Sequence, residues 1–216
     1  MKTVAVFVDL TKAFDKVWNK GLLRKLLKKN VCSKMYGWIY SYLFQRTARV
    51  KLEGQMSSLV KLREGVPQGG VISPTLFTIF IDHITDQLTL HISRALHADD
   101  LAAWTKAEQV NTATHRMLEA VNNITNWVDK WMVSINRTKT EATCFSLAPK
   151  KEAFTPQTKG QAIPQQENPT YLGVKLDKRL TWSPHINTMH RKAVSRHGNS
   201  TPIRVNTPLQ GSLYAL

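Results

Sequence analysis

The residues best suited to chemistry are two adjacent carboxylates, Asp99 and Asp100. Short apolar runs flank the pair, so a hairpin with the acids at its apex would bury its flanks and expose the charge. Oxygen ligands on a tight turn suit divalent cations that are aimed at phosphates. An Asp-Asp pair alone is a weak signal, but a second acidic segment, Phe7–Asp15, lies far upstream. In that segment Asp9 ends an apolar run, so a cation site built from both segments is one prediction, and a turn capped by Asp9 is the ordinary alternative.

A glycine-rich loop, Gly65–Pro74, lies between the two acidic segments. Its Gln68 stands between Pro67 and Gly69. Glycines let the backbone approach a ligand closely, and a glutamine side chain both donates and accepts hydrogen bonds. The pattern therefore predicts a ligand contact at Gln68, with a plain surface turn as the alternative. Phe14, five residues after Asp9, is either a core residue or a wall beside a bound nucleotide.

The spacing of apolar residues predicts the strands and helices that hold these side chains in place. Strands are expected over residues 3–8, 48–52, 58–62, 91–98, 101–105, 141–147 and 171–176. Helices are expected over residues 16–29, 33–44, 73–84, 108–132 and 181–196, with Ser33 and Ser73 as caps. A turn at Glu53–Gly54 joins two strands, and Gly173 is expected inside the last strand. This order mixes hairpins with crossovers, which predicts an α+β fold and not a doubly wound parallel sheet.

The composition is strongly basic, with a net charge of +15 and a pI near 10 over 216 residues. Basic residues are spread along the chain, which indicates a phosphate-binding surface, although any one cluster, such as Arg24–Lys29, could be a solvated helix face.

No apolar run has the length of a membrane span and no signal peptide is recognised, so we expect an intracellular protein with no membrane contact. Cys32 and Cys144 are expected to be buried free thiols, and His185 and His190 are too poorly spaced for a zinc site.

Five segments in this order resemble the reverse transcriptase domain of non-LTR retrotransposons, most closely the jockey-type elements of arthropods. The first is Phe7–Trp18 and the second runs from Gly65 to Phe77. The other three are residues 97–100, 127–140 and 171–182. The resemblance covers about residues 3 to 196 and is specific, because five motifs recur in order.

The resemblance implies an α+β polymerase palm-like antiparallel sheet with helices packed on one face. It implies a partial thumb start, with the fingers largely missing. The implied regions are a palm core over 1–147, a connector over 148–169, the primer-grip strand and start of the thumb over 170–196, and an irregular tail over 197–216. It also implies an RNA-directed DNA polymerase that uses an RNA template, a DNA primer and deoxynucleoside triphosphates, within a ribonucleoprotein in the nucleus or the cytoplasm.

The resemblance also implies roles for single residues. Asp9 and Asp99 would ligate two Mg²⁺ ions, with Asp100 beside them and Mn²⁺ as a possible substitute. Lys139 would lie near the pyrophosphate as a proton donor.

Four further residues would contact the incoming nucleotide, namely Leu10, Phe14, Gln68 and Gly69. Among them Phe14 would be the steric gate against a ribose 2′-hydroxyl.

The sequence departs from the family at two positions. His97 stands where an aromatic residue usually precedes Ala-Asp-Asp, and Gly70 stands where Ser usually follows Gln-Gly. Two other functions stay open. One is a two-metal nuclease of the ribonuclease H or integrase kind, which the glycine-rich loop and the lack of a well-placed Glu disfavour. The other is a catalytically inactive, nucleic-acid-binding remnant of such an element.

Overall fold

The protein is described by a computed structural model over residues 1–148, 154, 156–158 and 160–196. Its helices are α1 (Asn19–Lys28), α2 (Ser33–Leu43), α3 (Ser73–Ile81), α4 (Val110–Lys130) and α5 (Ser183–Arg196). Its strands are β1 (Lys2–Val8), β2 (Arg46–Ala48), β3 (Lys51–Leu52), β4 (Gln55–Met56), β5 (Val60–Leu62), β6 (Ser93–His97), β7 (Asp100–Ala107), β8 (Glu141–Phe145), β9 (Gln157–Thr158), β10 (Gln161–Ala162), β11 (Thr170–Tyr171) and β12 (Val174–Lys175). The predicted tail over 197–216 and part of the predicted connector lie outside the described residues.

A four-stranded antiparallel sheet in the order β6-β7-β1-β8 forms the centre of the fold. β1 lies between two neighbours and is apolar on both faces, as its unbroken run of β-branched and small apolar residues predicts. Val4, Val6 and Val8 face one side, and Ala5 and Phe7 face the other. The prediction of an α+β fold with an antiparallel sheet is therefore confirmed.

Helices cover the valine face of the sheet. The stripe of α4 that packs against β1 and β7 repeats every three or four residues, as an amphipathic helix requires. Its buried members are Met117, Val121, Ile124 and Val128. α1 and α3 pack together and join the same hydrophobic cluster. This layer packs against β1 up to its last residue, Val8, directly before Asp9.

The other face of the sheet is covered by a hairpin that the sequence analysis missed. The predicted strand over 171–176 is wrong, because β11 and β12 pair antiparallel around a turn at Leu172 and Gly173. Both turn residues have positive φ, 48° and 79°, which is the backbone of a two-residue hairpin turn. Tyr171 of this hairpin places its ring 5.5 Å from the ring of Phe7.

Three smaller predictions from the sequence, on a hairpin, two helix caps and the cysteines, differ from the structure. Glu53 and Gly54 do form a turn with positive φ, but the hairpin splits into two short ladders, β2 with β5 and β3 with β4. Neither Ser33 nor Ser73 caps its helix, since each is already the first helical residue and neither helix has a side-chain cap bond. The prediction of buried thiols is also wrong, because Cys32 is exposed and Cys144 is partly exposed; neither forms a disulfide.

Within the described residues, no helix is long and apolar enough to cross a membrane.

Lys25 of α1 is a charged residue in the core, with only 5% of its surface exposed. Its Nζ donates a hydrogen bond to the Phe80 carbonyl oxygen at 2.5 Å and lies 4.1 Å from the centre of the Trp131 ring. Burial lowers the pKa of Lys25 to about 8, although the charges of Asp82 and Asp86 oppose the shift. The ammonium group therefore satisfies one of the last carbonyls of α3 at a cost in desolvation.

We expect the stability of the protein to rise in alkaline solution because of Lys25. In the unfolded chain its pKa is 10.5, so between pH 8 and pH 10.5 the unfolded state binds more protons than the folded state. The free energy of unfolding then increases with pH, by about 2 kcal/mol between pH 7 and pH 9.5. Urea unfolding of the wild type and of Lys25→Met at both pH values measures this. The difference between the two proteins should change with pH by that amount, and parallel pH profiles would show that Lys25 keeps its ordinary pKa.

Candidate active site

The strand register brings the two acidic segments together. β1 pairs with β7 so that Val8 lies opposite Leu101, and the same register continued by one residue puts Asp9 opposite Asp100. Directly opposed residues of antiparallel strands have Cβ atoms about 5 Å apart. Asp99 lies in the turn between β6 and β7, after Ala98 with φ of 52°, and Asp100 is the first residue of β7. The predicted hairpin is confirmed, with Asp99 at its apex and Asp100 half-buried just inside it.

The pKa of Asp100 depends on charged groups from both acidic segments. Burial raises the pKa of Asp100, and the negative charges of Asp99 and Asp9 raise it further. His97 and Lys139 act in the opposite direction and lower it. Three carboxylates, an imidazole and an ammonium group thus lie close enough to influence one another, although their positions in the sequence are as far apart as 9 and 139.

Backbone hydrogen bonds hold the segment that contains Lys139 beside the loop that follows Asp9. The segment after α4 runs beside the loop that follows Asp9, with Asn136 N donating to Asp9 O at 2.8 Å and Thr11 N donating to Ser134 O at 2.8 Å. The Asp9 N–H donates to Thr140 Oγ1 at 3.3 Å. The exposed Lys139 is therefore carried on a segment that is bonded on both sides to the Asp9 loop.

A groove of about 630 Å³ opens beside Asp99. It is lined by the glycine-rich loop, by the start of α3 and by one aromatic ring, from residues Phe14, Gln68, Gly69, Gly70, Val71, Ser73, Pro74 and Asp99. The exposed Gln68 donates from Nε2 to Asp15 Oδ1 at 3.0 Å, and Gly69 has a φ of +81°. The loop thus presents polar groups and open backbone to a ligand in the groove.

Phe14 and Leu10 occupy different environments. The ring of Phe14 stacks on the buried Phe77 ring, with centroids 4.4 Å apart and planes 15° apart, and its partly exposed side lines the groove. Leu10 is only 4% exposed and belongs to the main core. Its side chain therefore does not line the groove, and a contact with a nucleotide would have to come from its backbone.

A family model with the description "Reverse transcriptase (RNA-dependent DNA polymerase)" matches residues 1–176, more than three quarters of the chain. The chain belongs to the reverse transcriptase family.

Curated relatives refine this membership. This reverse transcriptase domain is 33% identical over 199 residues to the probable RNA-directed DNA polymerase from transposon BS of Drosophila melanogaster, which covers 89% of this chain and 22% of that protein. It is 32% identical over 196 residues to the RNA-directed DNA polymerase from mobile element jockey of the same species, over 87% of this chain and 21% of that protein. The predicted resemblance to jockey-type non-LTR retrotransposons is confirmed. The chain spans about a fifth of the length of these relatives.

A solved structure shares the fold of this reverse transcriptase domain. Apo telomerase from Candida tropicalis, truncated from its C-terminal domain, aligns with a TM-score of 0.60 at 16% identity. The alignment covers 84% of this chain and 35% of the telomerase chain. At that identity the likeness concerns the fold alone.

The donor set of this reverse transcriptase domain fits a hard divalent cation. Asp9, Asp99 and Asp100 offer carboxylate oxygens, which Mg²⁺ prefers over nitrogen or sulfur ligands. Within the described residues, no three side chains of His, Cys, Asp or Glu converge into a ready ligand cluster. Burial and, after it, the negative charges of Asp99 and Asp9 raise the pKa of Asp100, and a cation between the carboxylates would relieve the repulsion among them.

Two residues near the groove of the reverse transcriptase domain had no assigned role in the sequence analysis. Asp15 accepts a hydrogen bond from the side chain of Gln68, and its place three residues before the end of the Phe7–Trp18 motif was the available signal. Tyr42 of α2 shares a hydrogen bond of 3.0 Å with Ser73 in the groove wall. No sequence signal pointed to Tyr42, since it lies 31 residues away from its partner.

Proposed function

We propose that the chain carries the polymerase centre of an RNA-directed DNA polymerase that works by two-metal nucleotidyl transfer. The observation that carries this proposal is the β1–β7 register, which ends with Val8 opposite Leu101 and so directs Asp9 towards Asp100, with Asp99 at the edge of the groove. Carboxylates on adjacent strand ends are held by the rigid sheet, which is what a phosphoryl-transfer site needs for positioning.

Asp9 and Asp99 are the ligands of the two Mg²⁺ ions, for which Mn²⁺ can substitute, and Asp100 stands beside them. When bound, the cations activate the 3′-hydroxyl of the primer and neutralise charge on the transferring phosphates. Lys139 brings a positive charge to the same place on a segment bonded to the Asp9 loop. Its ammonium group donates a proton to the leaving pyrophosphate.

The groove holds the incoming nucleotide. Phe14, fixed by its stack on Phe77, forms a wall under the sugar and excludes a 2′-hydroxyl. Gln68, oriented by Asp15, contacts the nucleotide or the template base, and Gly69 allows its backbone to approach. The buried Leu10 contributes through its backbone.

The substrates in this proposal are an RNA template, a DNA primer and deoxynucleoside triphosphates, and the setting is a ribonucleoprotein in the nucleus or the cytoplasm. The regions keep their sequence-based bounds: a palm over 1–147, a connector over 148–169 and a primer grip with the start of a thumb over 170–196. Tyr171 of the hairpin formed by β11 and β12 packs on Phe7, two residues before Asp9. This position supports the primer-grip assignment.

A primer-extension assay tests the proposal. The chain is incubated with a DNA primer annealed to an RNA template, deoxynucleoside triphosphates and Mg²⁺, both alone and with the fingers segment of a jockey-type reverse transcriptase joined upstream of Met1. We expect Mg²⁺-dependent extension that a chelator abolishes. Binding without extension by both chains would favour the inactive remnant.

The charge of +15 predicts binding to nucleic acid that depends strongly on salt. Each Lys or Arg that neutralises a phosphate releases condensed counterions. If about five phosphates are neutralised on a single strand, the affinity should fall about 100-fold between about 50 and 200 mM salt. Fluorescence titration of a labelled RNA at several salt concentrations measures the slope. An affinity that is independent of salt would indicate that the basic residues form an ordinary solvated surface.

A further inference from the structure

Helix α2 exposes a stacked pair of aromatic rings next to the groove. The rings of Trp38 and Tyr42 have centroids 5.6 Å apart and planes 13° apart, and Trp38 is 52% exposed. The Tyr42 hydroxyl shares a hydrogen bond of 3.0 Å with Ser73 Oγ, and Ser73 lines the groove. A Cβ atom at Gly70, another groove residue, would overlap the same hydroxyl. The stack is therefore continuous with the groove wall through Tyr42.

The chain segment that carries this stack is basic, although Lys25 is buried and Lys16 and Lys29 pair with Glu64 and Asp82. Residues 16–52, which include α1 and α2, contain ten Lys and Arg residues and no Asp or Glu. Lys34, Trp38 and Tyr42 follow one another at intervals of four residues, so they form one ridge along α2. Lys34 is exposed at the end of the ridge that lies away from the groove. Phosphates are attracted to such a surface, whereas an apolar protein partner would have to desolvate its charges.

We propose that the ridge of Lys34, Trp38 and Tyr42 is a binding site for single-stranded nucleic acid. One base stacks on the exposed face of Trp38, Tyr42 supports the ring from behind, and Lys34 contacts a phosphate. Base–aromatic stacking tolerates any sequence, and a ring that is already held by a neighbour loses little freedom on binding. The assignment of this strand as the template entering the groove rests on the proposed function; the binding site itself does not.

Substitution of Trp38 tests the proposal in the full chain. A fluorescent single-stranded RNA of about twelve nucleotides is titrated with the wild type, Trp38→Ala, Trp38→Phe and Trp38→Leu. Loss of one stacked base should weaken binding about 5- to 150-fold in the Ala and Leu variants, whereas Phe should keep most of the affinity. The matched control is Tyr40→Ala, since Tyr40 is 49% exposed and stacks on Phe44, but lies two residues from Trp38 and therefore on another side of α2 than the ridge. Its affinity should equal that of the wild type.

Two further measurements separate stacking from charge. A duplex of the same length hides its base faces, so Trp38→Ala should bind it as the wild type does. Lys34→Gln should reduce the slope of log affinity against log salt for the single strand by about 0.7, and Trp38→Ala should leave that slope unchanged. Melting temperatures of all variants are compared, and the Leu and Phe pair keeps the test valid if Ala lowers stability.

The proposal is overturned if Trp38→Leu and Trp38→Phe bind the single strand equally well, or if Tyr40→Ala loses as much affinity as Trp38→Ala. An equal loss on the duplex would also overturn it. These outcomes are independent of catalysis. Absence of primer extension together with a specific loss in Trp38→Ala would contradict the proposed function alone, and extension with unchanged binding in Trp38→Ala would contradict this inference alone.

Discussion

Replacing Asp99 with Asn is expected to lower RNA-templated DNA synthesis by at least about 100-fold. The amide keeps the shape of the side chain but removes the negative charge that would hold a divalent cation at the turn between β6 and β7. Loss of a metal ligand at a phosphoryl-transfer centre removes several kcal/mol of transition-state stabilisation. The measurement is kcat/KM for nucleotide incorporation in the chain that carries the fingers segment, with the melting temperature recorded for each variant.

Glu108→Gln is the matched control for Asp99→Asn. Glu108 is an exposed acid between β7 and α4, so its substitution removes the same charge outside the site. Its activity should stay within about twofold of the wild type, since surface substitutions are usually near neutral. Equal activity in the wild type and Asp99→Asn would remove Asp99 from the metal site, and equal losses in both variants would indicate a general effect of charge.

Replacing Phe14 with Val is expected to change which sugar the enzyme accepts. If the ring lies under the sugar of the incoming nucleotide, removing part of it opens the space that a 2′-hydroxyl needs. We expect the ratio of kcat/KM for deoxyribonucleotides to that for ribonucleotides to fall at least tenfold, because discrimination by size is worth about 1–3 kcal/mol. Incorporation of each nucleotide type by wild type and variant measures the ratio.

Phe80→Leu is the control for the stability effect of this change. Phe80 is 1% exposed, packs on the rings of Trp127 and Trp131, and lies outside the groove lining. Its truncation should lower the melting temperature and leave the sugar ratio unchanged. If Phe14→Val behaves in the same way, Phe14 is a core residue and has no role as a steric gate.

The parts of the fold that could be predicted are those with strong local patterns. β1 is an unbroken apolar run and α4 is a long stripe at helical spacing, and both were located within about two residues. The hairpin could be predicted from the two apolar runs on either side of Asp99 and Asp100, because charged residues between such runs are typical of a turn. The opposition of Asp9 and Asp100 could not be derived from spacing, since strand register depends on partners that are far apart in sequence.

Other features could not be predicted from the sequence because they depend on tertiary contacts. Lys25 reads as a solvated residue of a basic cluster, yet it is buried where it meets the end of α3 and the Trp131 ring. The sequence around Gly173 predicts a continuous strand, but Leu172 and Gly173 both have positive φ and form a turn, and Tyr171 before the turn packs on Phe7. Tyr42 belongs to the groove through a contact with Ser73 that no local pattern encodes.

Asp9 and Asp99 are proposed to hold the same catalytic cations, and binding of Mn²⁺ followed by electron paramagnetic resonance measures this ligation. The wild type, Asp9→Asn, Asp99→Asn and the double variant are titrated with Mn²⁺, which reports on ligation without requiring activity. We predict that each single substitution weakens binding at least about tenfold, and that the double variant loses less than the product of the two losses, because residues that share a ligand are not additive. Binding of wild-type strength in both single variants would show that these two carboxylates do not hold the cations.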